Sequence, residues 1–136
     1  MAARTISIRT ADGTAPAHLF AGSGGRAKSG VIVYMDAFGV RPAMDEMAAR
    51  MAAEGYTVLV PDLFYRFGAY GPFDAKTAFS NEQTGAQIRQ MIGGTTQAMT
   101  VADTKHFLDA LSEAGATGRA GTVGYCMGGA RALNAA

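Results

Sequence analysis

Gly121-Thr122-Val123-Gly124-Tyr125-Cys126-Met127-Gly128-Gly129-Ala130 is the stretch on which the rest of the chain turns. It begins as a short apolar strand and runs into the start of a small-residue helix. Cys126, the one cysteine of the sequence, stands between them in the pattern G-x-C-x-G-G. A tight turn from strand to helix lifts such a side chain off the sheet and into a cleft, which is a nucleophile elbow. Gly124 and Gly128 fall where a Cβ would collide as strand and helix close on each other. The first N–H groups of the new helix have no intrahelical partner, so they can bind developing negative charge. The same helix end favours thiolate over thiol. Two other readings stand beside this one. A lone cysteine after an apolar strand can be simple packing. Gly-x-x-x-Gly-Gly can also cradle a phosphate, although it lacks the Lys-Ser/Thr of a P-loop and does not fit G-x-G-x-x-G.

Working back from the elbow, two more apolar runs read as buried strands. These are Val31-Ile32-Val33-Tyr34-Met35 and Tyr56-Thr57-Val58-Leu59-Val60, with the near-continuous apolarity of a parallel sheet covered on both faces. The first runs out into Asp36-Ala37-Phe38-Gly39-Val40-Arg41, and Pro42 then suits the first turn of a helix. Met44, Met47, Ala48, Met51 and Ala52 recur at helical spacing, a stripe best read as core, with Asp45, Glu46 and Arg50 on another face. Gly55 closes that helix. The second strand runs out into Pro61-Asp62-Leu63-Phe64-Tyr65-Arg66. Residues 67–79, rich in Gly, Pro and aromatics, read as a long loop.

Residues 81–91 read as a short helix broken by Gly93-Gly94. Thr96 then caps a helix reaching about Ala114, with Val101, Leu108 and Leu111 on its buried face. His106, among Asp103, Lys105 and Asp109, reads as solvent-facing. Further back, Thr5–Arg9 alternates as a half-exposed strand and Asp12-Gly13 marks a turn. Pro16–Phe20 completes an antiparallel hairpin in which His18 reads as structural. Residues 21–30 read as a flexible surface loop. The order of hairpin and then repeated strand–helix units predicts an α/β fold: a mostly parallel, three-layer sheet with an antiparallel N-terminal hairpin. Ligand chemistry in such sheets collects at the C-terminal strand ends. Asp36, Asp62 and Cys126 all fall there, which favours the nucleophile.

Composition narrows the class. The chain has 136 residues, 49% hydrophobic and 17% charged, with a net charge of +1, which fits one ordinary globular domain. Near-neutral charge without a basic run predicts neither nucleic acid nor an anionic membrane as partner. One cysteine cannot form an internal disulfide, so a reducing, cytoplasmic setting is expected. No signal-peptide core or membrane-spanning run is visible. No cofactor or metal is expected.

The residues Val33-Tyr34-Met35-Asp36-Ala37-Phe38-Gly39-Val40-Arg41-Pro42, Ala53-Glu54-Gly55-Tyr56, Pro61-Asp62-Leu63-Phe64 and Val123-Gly124-Tyr125-Cys126-Met127-Gly128-Gly129 carry a resemblance. Together, and in this order, they resemble the dienelactone hydrolase family of the α/β-hydrolase fold, from about Ile6 to the last residue. The resemblance implies a Cys-His-Asp hydrolase of esters and lactones with a small-molecule substrate. Cys126 would be the nucleophile, and the backbone N–H groups of Met127 and Ala37 the oxyanion hole. Where the family often has a Glu that contacts the resting thiol, this chain has Asp36, one methylene shorter. Arg41, Arg66 and Arg89 are candidates to hold a substrate carboxylate.

In α/β hydrolases the acid and the His follow the nucleophile. Here Met127 to Ala136 contain no Asp, Glu or His. The expectation is therefore a single incomplete α/β-hydrolase-like domain over residues 1–136, truncated after the elbow, with acid and His in a missing C-terminal segment. The alternative is a non-catalytic flavodoxin-like module that binds anions or senses redox state through Cys126. A third possibility is a fragment that folds stably only with a partner chain. The sequence leaves the oligomeric state unknown.

Overall fold

Five strands form one sheet in the structure, a computed structural model that describes residues 3–136. Strands β1 (Arg4–Thr10), β2 (Gly13–Phe20), β3 (Gly30–Tyr34), β4 (Thr57–Pro61) and β5 (Ala120–Gly124) lie in the order β1-β2-β4-β3-β5. The hairpin β1–β2 is antiparallel, and β2 is antiparallel to β4. β4, β3 and β5 run parallel, with β3 in the middle. Side-chain pattern explains these places. Ile32, Val33, Tyr34, Val58, Leu59 and Val60 are wholly buried, as central strands with two covered faces require. β1 instead sets Ile6 and Ile8 inward between exposed Thr5, Ser7 and Arg9, so it can be an edge with one wet face.

The helices are α1 (Pro42–Ala53), α2 (Glu82–Gly94), α3 (Gln97–Glu113) and α4 (Met127–Ala135). The chain steps one way from β3 to β4 and back across β3 to reach β5. Right-handed crossovers therefore put α1 on one face and α3 with α4 on the other. Contacts agree: α1 packs on β2 and β4, whereas α3 packs on β1, β4 and α4. The three layers are those of an α/β-hydrolase-like fold. In α1 the stripe Met44, Ala48 and Ala52 is buried and Met47 and Met51 pack against it, so the methionines are core. Arg131 of α4 fastens that helix to the start of α3, donating to Gln97 Oε1 at 2.8 Å and to the Thr95 carbonyl at 2.6 Å.

Four local expectations are corrected. α2 does not break before Gly93-Gly94; both glycines belong to its last turn, and a Cβ on Gly94 would meet the Phe67 ring. Residues 24–28, expected as flexible loop, form a 3-10 turn. In α3, Val101 and Leu108 are exposed; the buried face is Thr100, Asp103, Thr104, Phe107, Ala110 and Leu111. His106 is only half-exposed, and its neighbour Asp103 lies inside the fold. The reason is that these polar groups find partners. Thr104 Oγ1 meets the Tyr34 hydroxyl at 2.7 Å, and Asp103 accepts from Tyr65 and twice from Arg66. A hydrogen-bonded hydroxyl or carboxylate can be buried at little cost, so periodicity of apolar residues alone misplaces the face.

β5 is paired on one side only, by β3, and its residues are half-buried at most. Among the described residues no strand covers its other edge, and Leu133 of α4 is 78% exposed beside it. Among the described residues no helix is long and apolar enough to cross a membrane.

Candidate active site

Cys126 has φ 55° and ψ −118°, and among the described residues it is the only non-glycine with positive φ. A side chain in that region costs of order 1–3 kcal/mol and persists only where the surroundings over-determine it. The surroundings here are two glycines. A Cβ on Gly124 would run into the carbonyl of Gly128, and one on Gly128 would run into the carbonyls of Tyr34 and Met35. The first turn of α4 therefore sits directly on the end of β3, and Cys126 is pushed outward. Its side chain is exposed.

The amides around the thiol divide cleanly. Gly128 N–H donates to the Tyr125 carbonyl at 2.9 Å, and Gly129 N–H to the Cys126 carbonyl at 3.0 Å. Both are consumed by the turn, so this loop does not present the several free amides of a phosphate cradle. The N–H of Met127, first residue of α4, has no acceptor among the described residues. The N–H of Ala37 has none either, although Ala37 is buried. Ala37 leaves the end of β3, the strand end on which Gly128 packs. The two free donors thus belong to adjoining elements at one edge of the sheet.

Asp36 is buried, but its carboxylate turns away into its own loop. Oδ1 accepts from Phe38 N–H at 3.0 Å, and Oδ2 accepts from Arg41 Nη2 at 2.6 Å. No hydrogen bond joins it to the Cys126 thiol. The shorter side chain closes an Asx turn and clamps Arg41 instead. Gly39, with φ 90°, completes this turn, donating to the Asp36 carbonyl.

Asp62 ends β4 at the same edge. Its Oδ1 accepts from the Tyr70 hydroxyl at 2.5 Å and from Phe64 N–H at 2.9 Å. Burial pushes the Asp62 carboxyl above the usual carboxylate range, against the lowering effect of those two bonds. Burial, then the neighbouring Asp62 charge, push the Tyr70 phenol far up. The Tyr70 hydroxyl also reaches Met35 Sδ at 3.9 Å, and its ring fills the space a Cβ on Gly39 would need. Sequence reasoning missed Tyr70. A usable signal lay in Gly68 and Gly71, which bracket it with φ 71° and 67° and let the segment fold back over the strand ends.

The other candidates are spread apart. Arg66 gives four N–H bonds to Asp12 and Asp103, so its guanidinium is spent on structure. Arg89 is exposed on α2. Arg41 keeps Nη1 without a protein acceptor. His18 bonds Asp45 of α1 at 2.8 Å. It lies in β2, which is the second strand of the sheet rather than its edge, and three strand spacings, or roughly 14 Å, separate β2 from β5. His106 shares a hollow with Arg4, Ile6 and Ile8 of β1, roughly 19 Å from β5 by the same spacing.

The family model of the dienelactone hydrolase family matches residues 17–136. A carboxymethylenebutenolidase of Pseudomonas sp. is 35% identical over 107 residues, covering 78% of this chain and 43% of the relative. One of Rhodococcus opacus is 30% identical over 131 residues, covering 95% and 47%. The chain thus spans about half the length of the curated relatives it matches. Among solved structures, a dienelactone hydrolase-like promiscuous phosphotriesterase from metagenomic libraries superposes with a TM-score of 0.71 at 26% identity, covering 99% of this chain and 53% of that one. A cold-adapted esterase from an Arctic intertidal metagenomic library reaches 0.70 at 15% identity, over 98% and 54%, and shares the fold.

Proposed function

We propose that this chain, which belongs to the dienelactone hydrolase family, is the nucleophile-bearing part of a hydrolase that opens lactones or cleaves carboxylic esters. The observation that carries the reading is the strained backbone of Cys126, held by two glycines that tolerate no side chain. Backbone strain of this kind is characteristic of a residue presented for reaction.

The thiolate sulfur attacks the substrate carbonyl carbon, and the carbonyl electron pair moves onto oxygen. The free N–H groups of Met127 and Ala37 are the donors proposed for that oxyanion; one such donor is typically worth about 2.7–4 kcal/mol. Collapse breaks the carbon–oxygen bond, the alkoxide takes a proton and leaves, and a thioester remains on Cys126. Water must then attack the thioester, which needs a base within roughly 3 Å of its proton or one water away. Neither histidine is near β5. The acid and the His are accordingly assigned to chain beyond these residues, and residues 1–136 to one incomplete domain. Asp36 acts by clamping Arg41, and Arg41, with Nη1 free, is the arginine proposed to meet a substrate carboxylate. Arg66 and Arg89 are not assigned this role. The lone thiol suits a reducing compartment such as the cytoplasm.

The test is acylation by p-nitrophenyl acetate. The 136-residue chain is expected to release one equivalent of nitrophenolate and then stop, and Cys126→Ala to release none. Absence of a burst from folded protein overturns the reading. Sustained turnover that disappears in Cys126→Ala would place the base within these residues.

A further inference from the structure

A cavity of about 850 Å³ opens beside the Asp36–Arg41 loop, on the side away from β5. Its walls are Pro16, Phe38, Val40, Tyr70 and Phe73, with Asp62 and Arg41 as its charged groups. Small-molecule pockets have this size and this character, mostly apolar with a few placed polar groups. The charged groups are largely satisfied. Asp62 Oδ1 already holds two donors, and Arg41 is paired with Asp36 through Nε and Nη2, which leaves only Nη1 free. The aromatic walls are fixed by one another: Tyr70 stacks on Phe73 with 6.1 Å between ring centroids and meets Phe64 edge-on at 5.7 Å. Across the segment 69–73 lies a second hollow, but Asp74, Thr77, Ser80, Asn81 and Thr84 line it, and it suits water.

We infer that the apolar cavity takes a planar, uncharged ring of the substrate's acyl group, so that the preferred esters are arylacetyl rather than short aliphatic ones. This rests on the reading of Cys126 as nucleophile. The link between cavity and thiol is made by two residues. Phe38, a wall of the cavity, directly follows Ala37, whose N–H is a proposed oxyanion donor. Met35 touches the Tyr70 hydroxyl through its sulfur, while its carbonyl underlies Gly128 of the elbow. A carbonyl bound at Ala37 therefore has its substituent beside Phe38, where the aromatic walls begin. An offset-stacked or edge-on ring is what such walls bind best.

The experiment uses the purified chain and two arms. In the first, NMR follows the Val40 methyl groups during titration with phenylacetamide and with propionamide, neither of which acylates a thiol. Phenylacetamide is expected to shift them saturably and propionamide not at all. In the second, trifluoroethyl phenylacetate and trifluoroethyl acetate compete for Cys126, with acyl-enzyme read by mass and rates corrected by those of a free thiol. The phenylacetyl ester is expected to react about tenfold faster, the scale of discrimination an apolar pocket gives. Val40→Trp, which fills the cavity, should bring the ratio toward one; if that variant is unfolded, Val40→Phe serves. A corrected ratio near one in the natural sequence, or an unchanged ratio in a folded filled variant, overturns the inference. If neither ester acylates Cys126, the nucleophile reading fails, and saturable binding of phenylacetamide alone then decides the cavity.

Discussion

Cys126 sits where glycine would sit more comfortably. Replacing it by alanine keeps the Cβ and so keeps the strain; replacing it by glycine releases it. Strain of about 1–3 kcal/mol, less the 0.5–1 kcal/mol or so that glycine loses to chain entropy, leaves a net gain of roughly 1 kcal/mol. Cys126→Gly is therefore expected to unfold at higher urea concentration than Cys126→Ala, although both lack the thiol. Equal midpoints would mean that the turn stores no strain. This corner was legible from sequence because its determinants are local: two glycines, one cysteine and the change of period between strand and helix. Tyr70 was not legible for the opposite reason. Its partners Met35, Gly39 and Asp62 come from two strand ends and a loop, and nothing adjacent to Tyr70 announces them.

At the scale of elements, Asp62 ties the end of β4 to the segment that folds back over it. Burial raises its carboxyl in the folded state, so between the ordinary and the raised value the native chain binds more protons than the unfolded one. Stability from this group is then complete below the ordinary carboxylate range and falls as pH rises through the raised value. Asp62→Asn keeps an Oδ1 acceptor for Tyr70 and Phe64 but no longer titrates. It should match the natural protein near about pH 3, exceed its melting temperature as pH rises from the ordinary carboxylate range through the raised value, and keep a constant lead above it. A difference in melting temperature that is flat with pH would contradict the assignment. The face of α3 shows how far element-level reading reaches. The length of the helix and its Thr96 cap were visible, because they follow from local rules. Its inward Asp103 and Thr104 were not, since their burial depends on Tyr34, Tyr65 and Arg66, far away along the chain.

For the molecule as a whole, the sheet has a secure middle and an open side. β4 is wholly buried between β2 and β3, while β5 is paired by β3 alone. Local opening follows burial and ladder pairing, so the β5 amides should exchange hydrogen well before those of β4. Mass-resolved exchange measures this directly, and equal protection of the two strands would refute it. The parallel order itself was readable from three apolar runs ending in Asp36, Asp62 and Cys126, because buried strands carry that signature on their own residues. The ladder also has a temporal side. Ala120 of β5 pairs with Gly30 of β3, so the contact closes a loop of about ninety residues, the kind of closure that comes late because its entropy must be met before any contact forms. During synthesis the hairpin, β3, α1 and β4 have all left the ribosome before the elbow exists. Cys126 is thus set in place on a sheet already assembled, and until then it is an ordinary thiol on a relaxed chain, with no strained turn to aim it at a nascent neighbour.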